Sequence, residues 1–114
     1  MEDKKELISQ FVLEMRRGTI VLGTLSQLSR PQYGYSLVQN LCDKGLEIDS
    51  GTLYPLLRRL EKQNILVSEW ETEGSKPRKY YKRTEFGTEI YKELLNQWEL
   101  MQTSIHGMLQ NDEV

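Results

Sequence analysis

Cysteine and histidine are scarce in this chain, and each scarcity removes a class of function. A single cysteine, Cys42, allows no disulfide within the chain and fits a reducing, cytosolic setting. A single histidine, His106, leaves nowhere else to build a Ser-His-Asp or Cys-His pair. Its place late in a helix, where a cation is favoured, gives it an ordinary structural reading. Cys42 lies on an apolar helix face and reads as a small core residue. There is no Cys/His ligand spacing for zinc, no phosphate-binding Gly-rich loop and no GxGxxG. No cofactor, no metal and no enzymatic activity are expected. The longest apolar run, Thr19 to Leu25, is far too short to cross a bilayer. The polar start Met1-Glu2-Asp3-Lys4-Lys5-Glu6 lacks the apolar segment of a secretory signal, so a cytoplasmic protein without a membrane partner is expected.

What remains is a chain of 114 residues, the length of one domain with room for an arm. Its net charge is −2, which on its face argues against nucleic acid. The distribution argues the other way. Residues 1–14 carry net −2, residues 15–84 net +5 and residues 85–114 net −5. A basic middle and an acidic tail imply two faces with different tasks.

The apolar stripe Leu7, Ile8, Phe11, Val12 and Met15, continued by Ile20, Val21, Leu22, Leu25 and Leu28, predicts a first helix over about 4–28. Gly18 and Gly23 weaken its middle and mark a bend or a close contact. Pro31 ends that pattern. A second helix is predicted over 34–43, with Leu37, Val38 and Leu41 inward and Lys44-Gly45 as its stop. The third helix begins at Asp49 or Ser50, either of which can cap free N–H groups. At about 100° per residue, Leu56, Leu57 and Leu60 fall within about 60° of Leu53. Gly51, Pro55, Arg58 and Lys62 occupy the opposite face, flanked by Thr52, Tyr54 and Arg59. Strands are predicted over 65–72 and 78–83, joined by Glu73-Gly74-Ser75-Lys76-Pro77. Tyr80 and Tyr81 then fall on opposite faces, one of them inward. Thr84 reads as the cap of a fourth helix. Its stripe of Phe86, Ile90, Leu94, Trp98, Met101, Ile105 and Met108 has the spacing of a coiled-coil-like seam. Asn111 to Val114 are expected to fray.

The fold class is therefore mainly α with a small β-hairpin: a winged helix-turn-helix over residues 1–83 and a C-terminal dimerisation helix over 84–114, forming one compact unit. The winged arrangement follows from order alone. A short helix with an apolar and a cationic face is followed directly by a hairpin. From Gly74 to Thr84 that hairpin carries Lys76, Arg78, Lys79, Lys82 and Arg83 and no acid. Arg58, Arg59 and Lys62, the helix N-terminal N–H groups and the Ser50, Thr52 and Tyr54 hydroxyls can reach phosphates or base edges. The compact basic tip suits a phosphate or minor-groove contact. The plainer reading, a solvated charged helix and a Lys-protected edge strand, accounts for each element singly but less well for the pair. A protein-docking module, with the acidic last helix as its docking face, is the alternative.

Four segments carry a resemblance: Tyr33-Gly34-Tyr35, Gly51-Thr52-Leu53-Tyr54-Pro55-Leu56-Leu57-Arg58-Arg59-Leu60-Glu61, Pro77-Arg78-Lys79-Tyr80-Tyr81 and Thr84-Glu85-Phe86-Gly87. Together they resemble the PadR family of bacterial transcriptional regulators, over about Met15 to Trp98. The single last helix resembles the compact subfamily that includes multidrug-sensing repressors. The resemblance implies a homodimeric repressor whose third helix enters the major groove of double-stranded DNA with the hairpin beside it. Such a protein would be nucleoid-associated when bound. It implies DNA contacts at Tyr35, Thr52 and Tyr54, to which the residue pattern above adds Ser50, Arg58, Arg59, Lys62, Lys76, Arg78 and Lys79. It also implies dimerisation through the first and last helices, where Leu7, Phe11, Leu94, Trp98, Met101, Ile105 and Met108 lie. In multidrug-sensing relatives a Trp at the position of Trp98, fourteen residues after Thr84, lines an apolar pore. Phe11, Met15, Tyr91 and Met101 are the candidates to share such a cavity with Trp98 around a small aromatic effector. The overall acidity departs from the pattern, and the arm before Met15, a stretch that varies widely in such proteins, carries no motif.

Overall fold

The computed structural model describes residues 3–110. Its elements run α1 (Lys4–Arg17), α2 (Ile20–Ser26), β1 (Gln32–Tyr33), α3 (Gly34–Asp43), α4 (Ser50–Lys62), β2 (Leu66–Glu71), β3 (Arg78–Arg83) and α5 (Glu85–Gln110). The expected fraying of Asn111 to Val114 lies outside the described residues. The mainly α winged helix-turn-helix architecture is as expected. Two local features differ.

The first helix expected over 4–28 is two helices. Asp3 caps α1 by accepting the Glu6 N–H at 2.8 Å. At the other end the Thr19 N–H and hydroxyl both donate to the Arg16 carbonyl, at 2.9 and 2.8 Å. That captures a carbonyl the continuing helix would have used, and α2 restarts with the Gly23 N–H on the Thr19 carbonyl. The apolar stripe runs across the break, which is why spacing alone reads it as continuous. Gly23 marks a close contact: a Cβ there would lie 3.0 Å from Cδ2 of Leu46.

The second difference is a third strand. β1 pairs antiparallel with β3, Gln32 opposite Tyr81 and Tyr33 opposite Tyr80. The sheet order is β1-β3-β2, so the cationic strand is the central one. β2 pairs with β3 from Leu66 opposite Arg83 to Glu71 opposite Arg78.

The core is built of leucines. Leu25 and Leu28 come from the α2 segment, Leu37 and Leu41 from α3, Leu53, Leu57 and Leu60 from α4, and Leu66 from β2. Tyr81 of β3 joins them, so it is the inward member of the tyrosine pair. Removing any one of these leucine side chains to alanine would cost about 2–5 kcal/mol. α3 ends as its sequence requires, with Gly45 in the left-handed region at φ 96°. α4 is capped by Asp49, whose carboxylate accepts the Thr52 N–H at 2.8 Å. Asn64, at φ 61°, turns the chain out of α4. The Ile65 N–H then reaches back to the Leu60 carbonyl at 2.9 Å, a left-handed C-terminal turn of the usual kind. The wing is thereby attached to α4 by one tight turn.

α5 leaves this core. Only its base packs there, through Tyr91 and Leu94. Thr84 caps it as expected, its hydroxyl oxygen accepting the Gly87 N–H at 2.8 Å. α1 has no buried residue, and the molecule is accordingly long, 60 × 35 × 23 Å. No described helix is long and apolar enough to cross a membrane.

Candidate nucleic-acid interface

α4 presents Ser50, Gly51, Thr52, Pro55, Arg58, Arg59 and Lys62 to solvent while Leu53, Leu57 and Leu60 hold it to the core. The arrangement follows from the 3.6-residue period. Tyr54 departs from its place on the flank of the outer face. It is half-buried, because Gly34 at the start of α3 leaves a slot that a Cβ would fill against the Tyr54 ring. Arg59 and Thr52 also line a cleft of about 400 Å³ with Arg17, Ile20, Val21 and Pro55. Arg17 is thus a cation beside α4 that the motifs did not single out. Only the chain's return through α2 brings it there.

The wing base meets the start of α3 through stacked rings. Tyr33 and Tyr35 lie parallel at 5.9 Å, and Tyr80 meets Tyr33 edge-on at 6.2 Å. The Arg78 guanidinium sits 5.3 Å above the Tyr33 ring and donates to the Tyr35 hydroxyl at 3.4 Å. Tyr35 and Arg78 are therefore neighbours, 43 residues apart in sequence. Tyr33 donates to the Glu71 carboxylate, which raises the Tyr33 pKa. Tyr80 donates to Glu69 at 2.8 Å, which raises the Tyr80 pKa in the same way. The same hydroxyl, and then the nearby Lys82, hold the Glu69 carboxyl below its ordinary value.

The hairpin's apparent run of free cations is mostly compensated in three dimensions. Lys79 lies 3.7 Å from Glu61 of α4 and Lys82 lies 3.5 Å from Glu69 of β2. Arg83 donates to the Leu25 carbonyl at 3.1 Å and covers the Tyr91 ring at 4.5 Å. Arg78 is held by the tyrosines. Among the described residues, Lys76 at the exposed tip is the hairpin cation without a partner in its own chain. The acids responsible sit in α4 and β2, outside the window from Gly74 to Thr84. Counting charge along the sequence could not see them.

The candidate cavity residues separate into two groups. Met15, Trp98 and Met101 line one apolar groove of about 560 Å³ between the end of α1 and α5, with Ile105 and Leu109. Tyr91 lines a neighbouring groove of about 330 Å³ with Leu22, Leu46 and Leu95, and Trp98 and Thr19 border both. Phe11 lines neither and is exposed. Of the candidate dimer residues, Leu7, Phe11, Trp98, Met101, Ile105 and Met108 are exposed, whereas Leu94 packs on its own chain's core. His106 is exposed beside Gln110. Cys42 is half-buried, its thiol donating to the Ile48 carbonyl at 3.3 Å. Among the described residues no group of His, Cys, Asp and Glu side chains is placed to hold a metal.

The chain is similar to proteins of one family of known regulators. The model of the transcriptional regulator PadR-like family matches residues 21–109. The crystal structure of a PadR family transcriptional regulator from Eggerthella lenta DSM 2243 is 47% identical. It superposes with a TM-score of 0.89 over 95% of this chain and 96% of that one. A PadR-like transcriptional regulator from Bacillus cereus is 28% identical, with a TM-score of 0.79 over 87% of this chain and 99% of that one. A transcriptional regulator of Mycobacterium tuberculosis is 35% identical over 75 residues, which is 65% of this chain and 70% of that protein.

Proposed function

The chain belongs to the PadR-like family of transcriptional regulators, and from that membership we propose that it is a repressor binding an inverted-repeat operator as a homodimer. The observation that carries this reading is the outer face of α4. Arg58 and Lys62 stand clear of the core on a helix locked down by Leu53, Leu57 and Leu60, with a hairpin attached to its end.

α4 enters the major groove, where Arg58 can pair bidentately with guanine and Ser50, Thr52 and Lys62 reach phosphate or base edges. Arg59 and Arg17 follow the backbone on one side, and Tyr35 and Arg78 on the other. Tyr54, fixed against Gly34, offers its half-buried ring edge at the groove. Lys76 at the wing tip meets a phosphate. Lys79 is engaged by Glu61 and contributes less directly. In the homodimer, α1 and the exposed stripe of α5 pack across a two-fold axis, so α5 serves as the assembly helix and the chain before it carries the DNA-binding unit. Two recognition helices then fall in successive major grooves, roughly 34–36 Å apart.

The apolar groove at Trp98 is the effector site in this reading. A planar aromatic compound stacked between Trp98 and the methionines would favour a dimer spacing that fits DNA badly. Its leverage is its differential affinity for the two geometries.

Fluorescence anisotropy tests the whole. A duplex from upstream of this protein's own gene should bind much more tightly than a scrambled duplex at physiological salt. Equal or absent binding would turn attention to a protein partner. Quenching of Trp98 by planar aromatics, with Trp70→Phe as background, tests the effector. No response across a chemically broad panel would leave Trp98 as a packing residue.

A further inference from the structure

We propose that Glu61, Ser68 and Lys79 form a latch that fixes the wing against the recognition helix, making Glu61 a positioning residue for DNA binding. The proposal rests on the reading of α4 as the recognition helix.

Glu61 lies one residue before the end of α4. One of its carboxylate oxygens accepts the Ser68 hydroxyl at 2.6 Å, and the other lies 3.7 Å from the Lys79 ammonium. Glu61 therefore touches both strands of the hairpin. The side chains of Glu61 and Lys79 are each 32% exposed, so the pair is screened less than one at the open surface. The ammonium is further enclosed by two rings, 5.4 Å from the Tyr81 centroid and 6.0 Å from that of Trp70. Sheet register accounts for the gathering. Ser68 stands opposite Tyr81 and Trp70 opposite Lys79, so all four side chains share one face of the hairpin, the face on which Glu61 lies.

The placement of an acid here needs a reason. Glu61 follows Arg58 and Arg59 and precedes Lys62 on a helix that faces polyphosphate in the proposed complex. By Coulomb's law a carboxylate there opposes binding. It can favour binding only by what it holds. The base of the wing is held by Leu66 and Tyr81 in the core and by the pairing of β3 with β1, and Glu61 extends that hold outward onto both strands, at Ser68 and Lys79, limiting how far the tip can swing. A wing already fixed at the docked angle avoids the ordering cost of docking. Trp70 is 62% exposed and covers the latch from outside.

The sign of one substitution decides the matter. In the full chain, Glu61→Ala removes a negative charge from the DNA-facing side. A pure charge effect would tighten binding to operator and scrambled duplex alike. The latch predicts that operator affinity falls, by about tenfold, while affinity for the scrambled duplex changes by less than about twofold. Lys79→Met, which keeps the bulk on the rings, should produce the same loss from the other side. The double variant Glu61→Lys with Lys79→Glu should recover most of it. A DNA-free readout uses Trp70 emission with Trp98→Phe as background. Glu61→Ala and Lys79→Met should each lower its anisotropy and shift its emission to the red, with circular dichroism unchanged. Tighter binding to both duplexes, or unaltered Trp70 emission in both variants, would overturn the latch. Lack of operator preference in the unsubstituted chain would count against the DNA reading, and the Trp70 measurement would still decide the latch.

Discussion

Gly87→Ala is a substitution for which helix propensity and packing give opposite signs. Gly87 lies in the first turn of α5, buried against the chain as it leaves α4. On propensity, alanine in a helix gains about 1 kcal/mol over glycine. On packing, a Cβ at Gly87 would drive into the Ile65 carbonyl oxygen, with the carbonyl carbon at 2.9 Å and Cα at 3.2 Å. These are backbone atoms, so no side chain can swing aside. The same carbonyl accepts the Thr84 N–H at 3.1 Å, and the Thr84 hydroxyl bridges the Gly87 N–H and the Asn64 carbonyl. Relief therefore requires α5 to lift from the wing's base. Overpacking of this kind costs about 1–3 kcal/mol, and each cap or junction hydrogen bond lost adds about 1 kcal/mol. The net expectation is a destabilisation of about 2 kcal/mol. With m near 2 kcal/mol/M, the urea midpoint should fall by about 1 M. Gly107→Ala is the control. It sits on the same helix, and a Cβ there meets nothing within 4 Å, so its midpoint should hold or rise. Protein concentration must be fixed, because association shifts the midpoint. A Gly87→Ala chain as stable as its parent would refute the close approach of α5 to Ile65.

Three further outcomes are expected. Lys76→Ala should lower the salt slope of operator binding by about one unit, whereas Lys82→Ala, already paired with Glu69, should leave it nearly unchanged; equal effects would mean that the hairpin pairs open on DNA. The Glu69 carboxyl is held below its ordinary value by Tyr80 and then Lys82. Its contribution is full above the unfolded carboxylate value of about 4.3 and is lost as pH falls through the folded one. Glu69→Gln should therefore flatten the acid limb of the urea midpoint against pH below about pH 5, and an identical acid limb would contradict the pairing. Met101→Glu, on the exposed stripe of α5, should convert a species of twice the chain mass to single mass by sedimentation. Single mass in the parent at micromolar concentration would remove the dimer.

The parts of the fold that were legible in the sequence are those whose causes are local. α3 matches its predicted bounds because Lys44-Gly45 stops it within its own turn. α4 matches because Asp49 caps it and four leucines mark one face. The division at Thr19 was half legible: Gly18, which ends α1, marked a weak point, but the apolar stripe crosses it and the captured Arg16 carbonyl leaves no mark in hydropathy, so a bend and a full break could not be told apart. β1 was hidden because two residues have no period, and its cause is pairing with Tyr80 and Tyr81. At the candidate interface, the exposed α4 cations could be named from a helical wheel. The inward turn of Tyr54 depends on the slot at Gly34 in another helix. The compensation of the hairpin depends on Glu61 and Glu69, which become neighbours of Lys79 and Lys82 only when strands and helix are assembled.

α1 contains fourteen residues and buries none of them. A free helix of that length is marginal in water, even with the Asp3 cap and the basic last turn that support this one from within. Its helicity should therefore depend on dilution. In the proposed dimer it is folded at concentrations where chains are paired and melts as they separate, while the leucine core stays intact. Ordering α1 then draws on the free energy of association, so the measured dimer affinity is lower than the contact surface alone would give. Substitutions that raise the intrinsic helicity of α1 on its solvent side would tighten the dimer without touching a single contact between the two chains.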